Sequence, residues 1–381
     1  MRTHLQLLKL ESRILPSLTV PAYNSLPGAQ ASVYLNFSGD FISSWGGVHN
    51  ISIPPFAGGS GFWNMTALST IYQIWQNVSE DYSPFSVNVT TARPTGGEVS
   101  QIDVGGDGSW LGATYGGIAQ IGGLANSSPA NPTRGFVFPV NLSNSPKFIS
   151  DGAAHEAGHT FGLYHQSQWN GNTLVATYYA GPGDGTAPTM GNPYSATRSL
   201  WWYGTSEIGP TSIQNDMAVI AGNALVGFRP DDHGNTMATA DPLTVSNGLV
   251  SGSGVIEKMS DVDYFSFDSG PGVISLTVGH PSNSVDLSPL ARLYDADGNL
   301  LASALPDASF NDTINVTVEG GTYYLSVTDT GRSSGSTPTS YGQNVGQYII
   351  SGTVVSQPTW WGALSSSAVD ALFGKGKHGQ P

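Results

Sequence analysis

No cysteine occurs anywhere in the 381 residues. Disulfides therefore cannot hold the fold, and latency through a thiol on a metal is impossible. Charge is scarce as well. Only 10% of residues are Asp, Glu, Lys or Arg, with 27 acidic against 13 basic and a net charge of −14. Without a basic stripe, nucleic acid and anionic membrane surfaces are poor partners, while an acidic surface suits divalent cations such as Ca²⁺. No stretch approaches the roughly 18 apolar residues of a membrane span, so none is expected. The first residues also lack the uninterrupted apolar core of an ordinary signal peptide. The length is enough for two domains, and a monomer is expected.

Against these absences stands one dense stretch, His155-Glu156-Ala157-Gly158-His159-Thr160-Phe161-Gly162-Leu163-Tyr164-His165. As a helix it sets His155 and His159 on one face, a turn apart, with Glu156 beside the first. Two neutral imidazoles at that spacing grip one Zn²⁺, and the adjacent glutamate is placed as a general base. Gly162 lets the chain leave the helix with φ > 0, turning His165 back to the same metal. Three protein nitrogens leave one position of a tetrahedral ion open, as in catalytic zinc sites. An isolated His-x-x-x-His pair is a common surface coincidence, but five specified positions match by chance at roughly 10⁻⁵ in this composition.

The run has the complete H-E-x-x-H-x-x-G-x-x-H pattern and so resembles the metzincin zinc endopeptidases. The resemblance implies a methionine turn beneath the metal, for which Ala187-Pro188-Thr189-Met190-Gly191 is the candidate. Some metzincins carry a tyrosine two residues after that methionine; here the position is Asn192, and the nearest tyrosine is Tyr194. Tyr194, Trp201 and Trp202 are candidates for walling the substrate pocket, and equally for the core of a small subdomain.

Alternation predicts a strand at Ala31–Ser38, and a Gly/Pro/Ser-rich loop over 39–60 follows. Phe62–Tyr82 reads as an amphipathic helix with Met65, Leu68, Tyr72, Trp75 and Val78 on its apolar stripe. Further strands are expected around Phe85–Val89, Gly117–Ile121 and Gly135–Val140, then the histidine helix, capped by Ser150 or Asp151. This order is similar to the first half of a metzincin: an α+β domain with a twisted, mostly parallel sheet and an active-site helix. The edge strand that binds extended substrate is then expected within Gly116–Leu124. Ile213–Leu225 reads as a closing helix.

Beyond Arg229-Pro230-Asp231-Asp232 the period becomes two, and about eight short strands between Gly/Asp/Asn turns predict an all-β sandwich, jelly-roll-like. Three stretches, Asp261–Phe267, Leu293–Asn299 and Gly321–Val327, resemble the pre-peptidase C-terminal domain of secreted bacterial proteases. The expected division is 1–30 leader and linker, 31–229 catalytic domain, 230–356 sandwich and 357–381 tail. Asp231, Asp232, Asp261, Asp263, Asp295 and Asp297 offer hard oxygens at turns, making Ca²⁺ the second candidate cofactor after one catalytic Zn²⁺.

Leu10-Glu11-Ser12-Arg13-Ile14-Leu15-Pro16-Ser17 resembles a short leader on surface and secreted proteins of planctomycete bacteria. With the abundance of Gly, Ser, Thr and Asn, it places the expected protein outside a bacterial cell or on its surface. The expected function is endopeptidase action on protein or peptide substrates. Two other readings stay open: a zinc hydrolase of a non-protein substrate, and a binding or adhesion protein with a vestigial zinc site. Thirty residues are too few for a folded pro-domain, whereas the sandwich could be removed after export, as in the proteins it resembles.

Overall fold

The computed structural model describes residues 19–56, 64–281, 284–331, 333–334 and 340–356. The leader motif, Phe62 and the 357–381 tail lie outside the described residues.

The chain enters through β1 (Ala31–Asn36), then β2 (Asp40–Trp45), β3 (Val48–Ile53), helix α1 (Met65–Asp81), β4 (Val87–Thr90), β5 (Glu98–Val104), β6 (Gly117–Ala119), β7 (Thr133–Val137) and helix α2 (Pro146–Thr160). Five of these strands form one sheet in the order β4-β1-β5-β7-β6. The first four run parallel, and β6 closes the edge antiparallel to β7. Helix α1 buries Ala67, Ile71, Ile74 and Val78, of which only Val78 belongs to the expected stripe: Met65 is 73% exposed, Leu68 and Trp75 are half-buried against the core, and Tyr72 and Trp75 stack on each other and on Tyr23. Two neighbouring apolar faces exist, and the β-branched one meets the sheet.

Three further strands correct the sequence reading. The expected loop at 39–60 contains the β2–β3 hairpin, turned at Gly46 and Gly47 with φ of 56° and 82°, as a two-residue hairpin loop needs. The central strand β5 carries no two-residue alternation because both its faces are covered; even Ser100, Gln101 and Asp103 are buried. Arg134 and Asn36 satisfy the Asp103 carboxylate at 2.8 and 2.7 Å.

Beyond α2 come β8 (Gln168–Asn170), β9 (Thr173–Ala176), β10 (Thr186–Pro188), β11 (Arg198–Leu200), β12 (Trp202–Thr205), β13 (Ile213–Asn215) and the short helix α3 (Asp216–Ala221). The expected closing helix at Ile213–Leu225 is thus a strand followed by less than two turns of helix, capped by the Asn215 side chain.

The remainder is β throughout: β14 (Asp241–Pro242), β15 (Thr244–Ser246), β16 (Leu249–Ile256), β17 (Val262–Ser269), β18 (Gly272–Gly279), β19 (Pro289–Tyr294), β20 (Leu300–Ala304), β21 (Asp312–Val318), β22 (Gly321–Asp329), β23 (Ser333–Ser334), β24 (Tyr341–Gly342) and β25 (Gly346–Thr353). Two five-stranded sheets, β14-β17-β22-β19-β20 and β15-β16-β25-β18-β21, make the sandwich. Alternate residues such as Phe265 and Phe267, Leu276 and Val278, and Leu325 and Val327 fill its interior. The strands β23 and β24 do not join it; β24 pairs with β12 in a separate sheet of order β13-β12-β24-β23.

Candidate metal centre

Helix α2 begins earlier than the sequence suggests. Ser145 caps it, accepting a bond from the Phe148 amide, and Pro146 takes the first turn, where its missing N–H costs nothing. Ser150 and Asp151 therefore lie inside the helix, not at its cap. The far end closes as expected. Gly162 has φ of 107°, its N–H donates to the His159 carbonyl at 2.9 Å, and the Leu163 N–H donates to the Gly158 carbonyl at 3.1 Å.

That turn brings His155, His159 and His165 together, with one ligating atom from each within 4.8 Å of the others. The two Nε2 atoms of His159 and His165 are 3.1 Å apart, close to the ~3.3 Å that two ligands of a tetrahedral Zn²⁺ require. Each ring has its other nitrogen occupied. His155 Nδ1 bonds the Thr189 carbonyl, His159 Nδ1 the Leu163 carbonyl, and His165 Nδ1 the Glu207 carboxylate, all at 2.8 Å. An acceptor at every Nδ1 places the proton there and leaves every Nε2 free. Burial, then the neighbouring imidazoles, pushes the His155 pKa well below its ordinary value. Burial likewise lowers His159 to about 4. Three imidazoles that converge with every Nδ1 already bonded fit a divalent metal of the zinc type.

Glu156 is buried, and burial raises its carboxyl well above the usual range. Its Oε2 has no hydrogen-bond partner among the described residues. Room for it comes from a glycine. A Cβ on Gly117 of the edge strand would stand 2.5 Å from Glu156 Oε1, so any other residue displaces the carboxylate. Met190 is fully buried under the same helix, and a Cβ on Gly158 would meet its Sδ at 2.6 Å. The methionine thus packs directly against the turn that carries His155 and His159.

A cavity of about 510 Å³ opens over the three histidines. Its lining includes Gly116, Gly117, Ile118 and Ala119 at the edge strand and Asn192, Pro193 and Tyr194 after Met190, with the Tyr194 hydroxyl beside Gly116. Tyr194 lies where the sequence suggested, half-buried, with its phenol raised to about 12 by burial and by Glu156. Trp201 and Trp202 do not line the cavity. Trp201 packs edge-on against Tyr82 and Phe85, and both indoles are core. A larger cavity of about 700 Å³, around Pro54, Phe56 and Val140, contains one acidic residue, Asp107, and no cluster of ligands.

Two residues at the site carry no signal in the sequence. Tyr178 overhangs the histidines, its ring centroid 4.3 Å from that of His165. Its neighbour Tyr179 fixes it, donating N–H to the Gln166 carbonyl and accepting from the Asn192 N–H, each at 2.9 Å. Glu207 grips His165 twice, at the ring and at the backbone N–H. Neither stands at a fixed offset from the motif; the fold alone delivers them.

A second acidic group gathers near the start of the sandwich. Asp231, Glu257 and Asp261 offer oxygens within 4.8 Å of one another, and Glu257 Oε1 and Asp261 Oδ2 are buried with no hydrogen-bond partner among the described residues. Of the six aspartates read as calcium candidates, only Asp231 and Asp261 belong to this group. Asp232 accepts the Val255 N–H, and Asp263 accepts the Tyr348 hydroxyl. Asp295 closes its own turn by accepting from the Asp297 and Asn299 amides, so Asp295 and Asp297 stand apart as turn residues. Glu257 was not legible, because it ends a strand-like run instead of sitting in a turn.

Comparison with known proteins completes the picture. No curated protein matches the chain. Among solved structures, the pre-peptidase C-terminal domain of a collagenase from Bacillus anthracis is similar at 18% identity, covering 32% of this chain and 95% of that one, with a TM-score of 0.22. The periplasmic lysozyme inhibitor PliG from Aeromonas hydrophila is similar at 10% identity over 30% of this chain and 96% of that one (TM-score 0.20). OgpA from Akkermansia muciniphila aligns at 11% identity over 61% and 55% of the two chains, with a TM-score of 0.18. The family model of reprolysin-like metallopeptidases, family M12B, matches from residue 85 to residue 166, from just before β4 to just past the third histidine. Residues 85–166, which hold all three histidines, are thus similar to a reprolysin-like metallopeptidase domain of family M12B.

Proposed function

We propose that the protein is a secreted zinc-dependent endopeptidase. The observation that carries this reading is the convergence of three Nε2 atoms, each with its Nδ1 already bonded, beside a buried carboxylate that has an unpartnered oxygen. His155, His159 and His165 would hold Zn²⁺, which supplies Lewis-acid polarisation of the scissile carbonyl and acidifies water. Glu156 takes the proton of the attacking water and delivers it to the leaving amine. Its buried surroundings favour the protonated form, which suits the second of those steps.

Among the described residues no strand pairs with the outer side of β6, which borders the cavity, so an extended peptide can add to it through main-chain bonds. Tyr194 and Pro193 then line the same cavity and confine the side chain beyond the scissile bond. Met190 supports the helix from beneath. Among the described residues no helix is long and apolar enough to cross a membrane. For the second group, Asp231, Glu257 and Asp261 would hold Ca²⁺, a hard cation matched to carboxylate oxygens.

Elemental analysis combined with casein hydrolysis tests the reading. We expect about one zinc per chain and cleavage that 1,10-phenanthroline abolishes. Zinc without cleavage of any protein substrate would favour a vestigial site, and absence of zinc would overturn the assignment.

A further inference from the structure

We infer that the C-terminal sandwich is a permanent brace of the metal centre and not an accessory that can be shed. Three connections support this, and the first two lead to residues that hold the histidine rings.

The first is the strand β24, which leaves the sandwich and pairs antiparallel with β12, Trp202 opposite Gly342 and Tyr203 opposite Tyr341. The rings of Tyr203 and Tyr341 stack with centroids 5.2 Å apart. Gln343 donates its N–H to the Trp201 carbonyl and its side-chain amide to Asn215, each at 2.8 Å. Trp202 Nε1 donates to Ser340 at 2.8 Å. Two residues beyond β12 stands Glu207, the partner of His165 Nδ1.

The second is Arg198 in β11, which is 6% exposed. Its guanidinium donates to the Val285 carbonyl at 3.1 Å, and to the Asp286 carbonyl and the Asn344 side chain, all three acceptors belonging to the sandwich. Strand β11 pairs with β10, and at its end the Leu200 carbonyl accepts the Thr189 N–H at 2.9 Å. The Thr189 carbonyl in turn holds His155 Nδ1. The third is Glu80 at the end of α1. It is fully buried and accepts the backbone N–H of Gln347 at 3.0 Å and its side-chain amide at 2.8 Å.

One hydrophobic cluster runs without a break from Val33 and Ile71 through Met190 to Val278 and Ile350. Departure of the sandwich would leave a buried arginine and a buried glutamate without these partners, and the strand before Glu207 paired on one side only, with β13. The expectation that this domain is removed after export is therefore replaced by its opposite. Both measurements below are read without activity, so failure of the peptidase reading would not be mistaken for failure of this one.

The first is differential scanning calorimetry of the full chain, with and without zinc. A single transition is expected, with a calorimetric to van't Hoff enthalpy ratio of about 1, shifted upward as a whole by zinc. The second is zinc transfer to a chromogenic chelator. Arg198→Met should release zinc about tenfold faster than wild type, in the range seen when outer partners of a metal site are removed. Leu301→Ser, on an exposed position of β20, should leave the rate unchanged. Two separated transitions, with zinc moving only one, would overturn the inference even if Arg198→Met fails to fold. So would a folded Arg198→Met that keeps the wild-type release rate.

Discussion

Removing the Glu207 carboxylate should loosen the metal without touching a ligand. In the intact protein His165 donates its Nδ1 proton to Oε2 at 2.8 Å, and its backbone N–H donates to Oε1 at 3.3 Å. Glu207→Ala deletes both acceptors. The imidazole is then free to rotate and to carry its proton on Nε2, the nitrogen that must be bare to bind. Loss of such an outer partner typically weakens a metal site 10- to 100-fold, or about 1.4–2.8 kcal/mol. The Glu207 side chain is 26% exposed, so water can enter and replace part of the bond, which places the expected loss near the lower end, about tenfold. Glu207→Gln keeps one acceptor but turns an NH₂ or a neutral oxygen toward the other donor, so it should fall between alanine and wild type. Competition against a chelator of known affinity gives the zinc Kd, and turnover at saturating zinc should change far less than that Kd. Wild-type affinity in Glu207→Ala, or weaker binding in the glutamine variant than in alanine, would refute the reasoning.

Glu156→Ala should retain zinc while losing activity by a factor on the order of 10²–10⁴, the usual share of a proton-transfer residue; normal turnover would remove Glu156 from its role. Calcium at 100 times its Kd should stabilise the protein by about 2.7 kcal/mol if the Asp231–Glu257–Asp261 group binds it, and Glu257→Gln should abolish the calcium-dependent rise in Tm. At the contact between the two parts of the chain, burial raises the Asp286 carboxyl to about 7, partly opposed by Arg198, and raises its neighbours Glu80 and Asp81 in the same direction. A folded-state pKa above the unfolded one makes a contribution that is complete below about pH 4 and fades as the pH climbs through about 7. Tm should therefore decline between about pH 5 and pH 8, and Asp286→Asn should flatten that decline; an unchanged slope would show that the proton sits elsewhere.

The clustering of His155, His159 and His165 was legible because a helix and one glycine fix their geometry within eleven consecutive residues. The φ of Gly162, the burial of Met190 beneath the helix and the edge position of β6 all agree with what the pattern implies. The reading failed where periodicity carries no information. Strand β5 is covered on both faces and polar in sequence, and the buried stripe of α1 lies beside the more obvious aromatic one. For Trp201 and Trp202 the sequence left pocket wall and subdomain core both open, and both indoles are buried in the core. Tyr178 and Glu207 reach the site only through pairings between distant residues, which no local pattern encodes. The sandwich was visible from its two-residue period, but the departure of β24 toward β12 was not, since two residues have no period.

The absence of a side chain at Gly117 also bears on how chains of this kind are sorted into working enzymes and silent relatives. A methyl group there would collide with the Glu156 carboxylate while every histidine, the glutamate and the turn glycine stayed in place. Such a chain would pass inspection by its signature and fail as a hydrolase. It would be a pseudoenzyme that still takes up zinc, inactivated from a different strand. On the proposed function, inheritance of catalysis in this architecture would be written in two separate places, the second a single hydrogen atom.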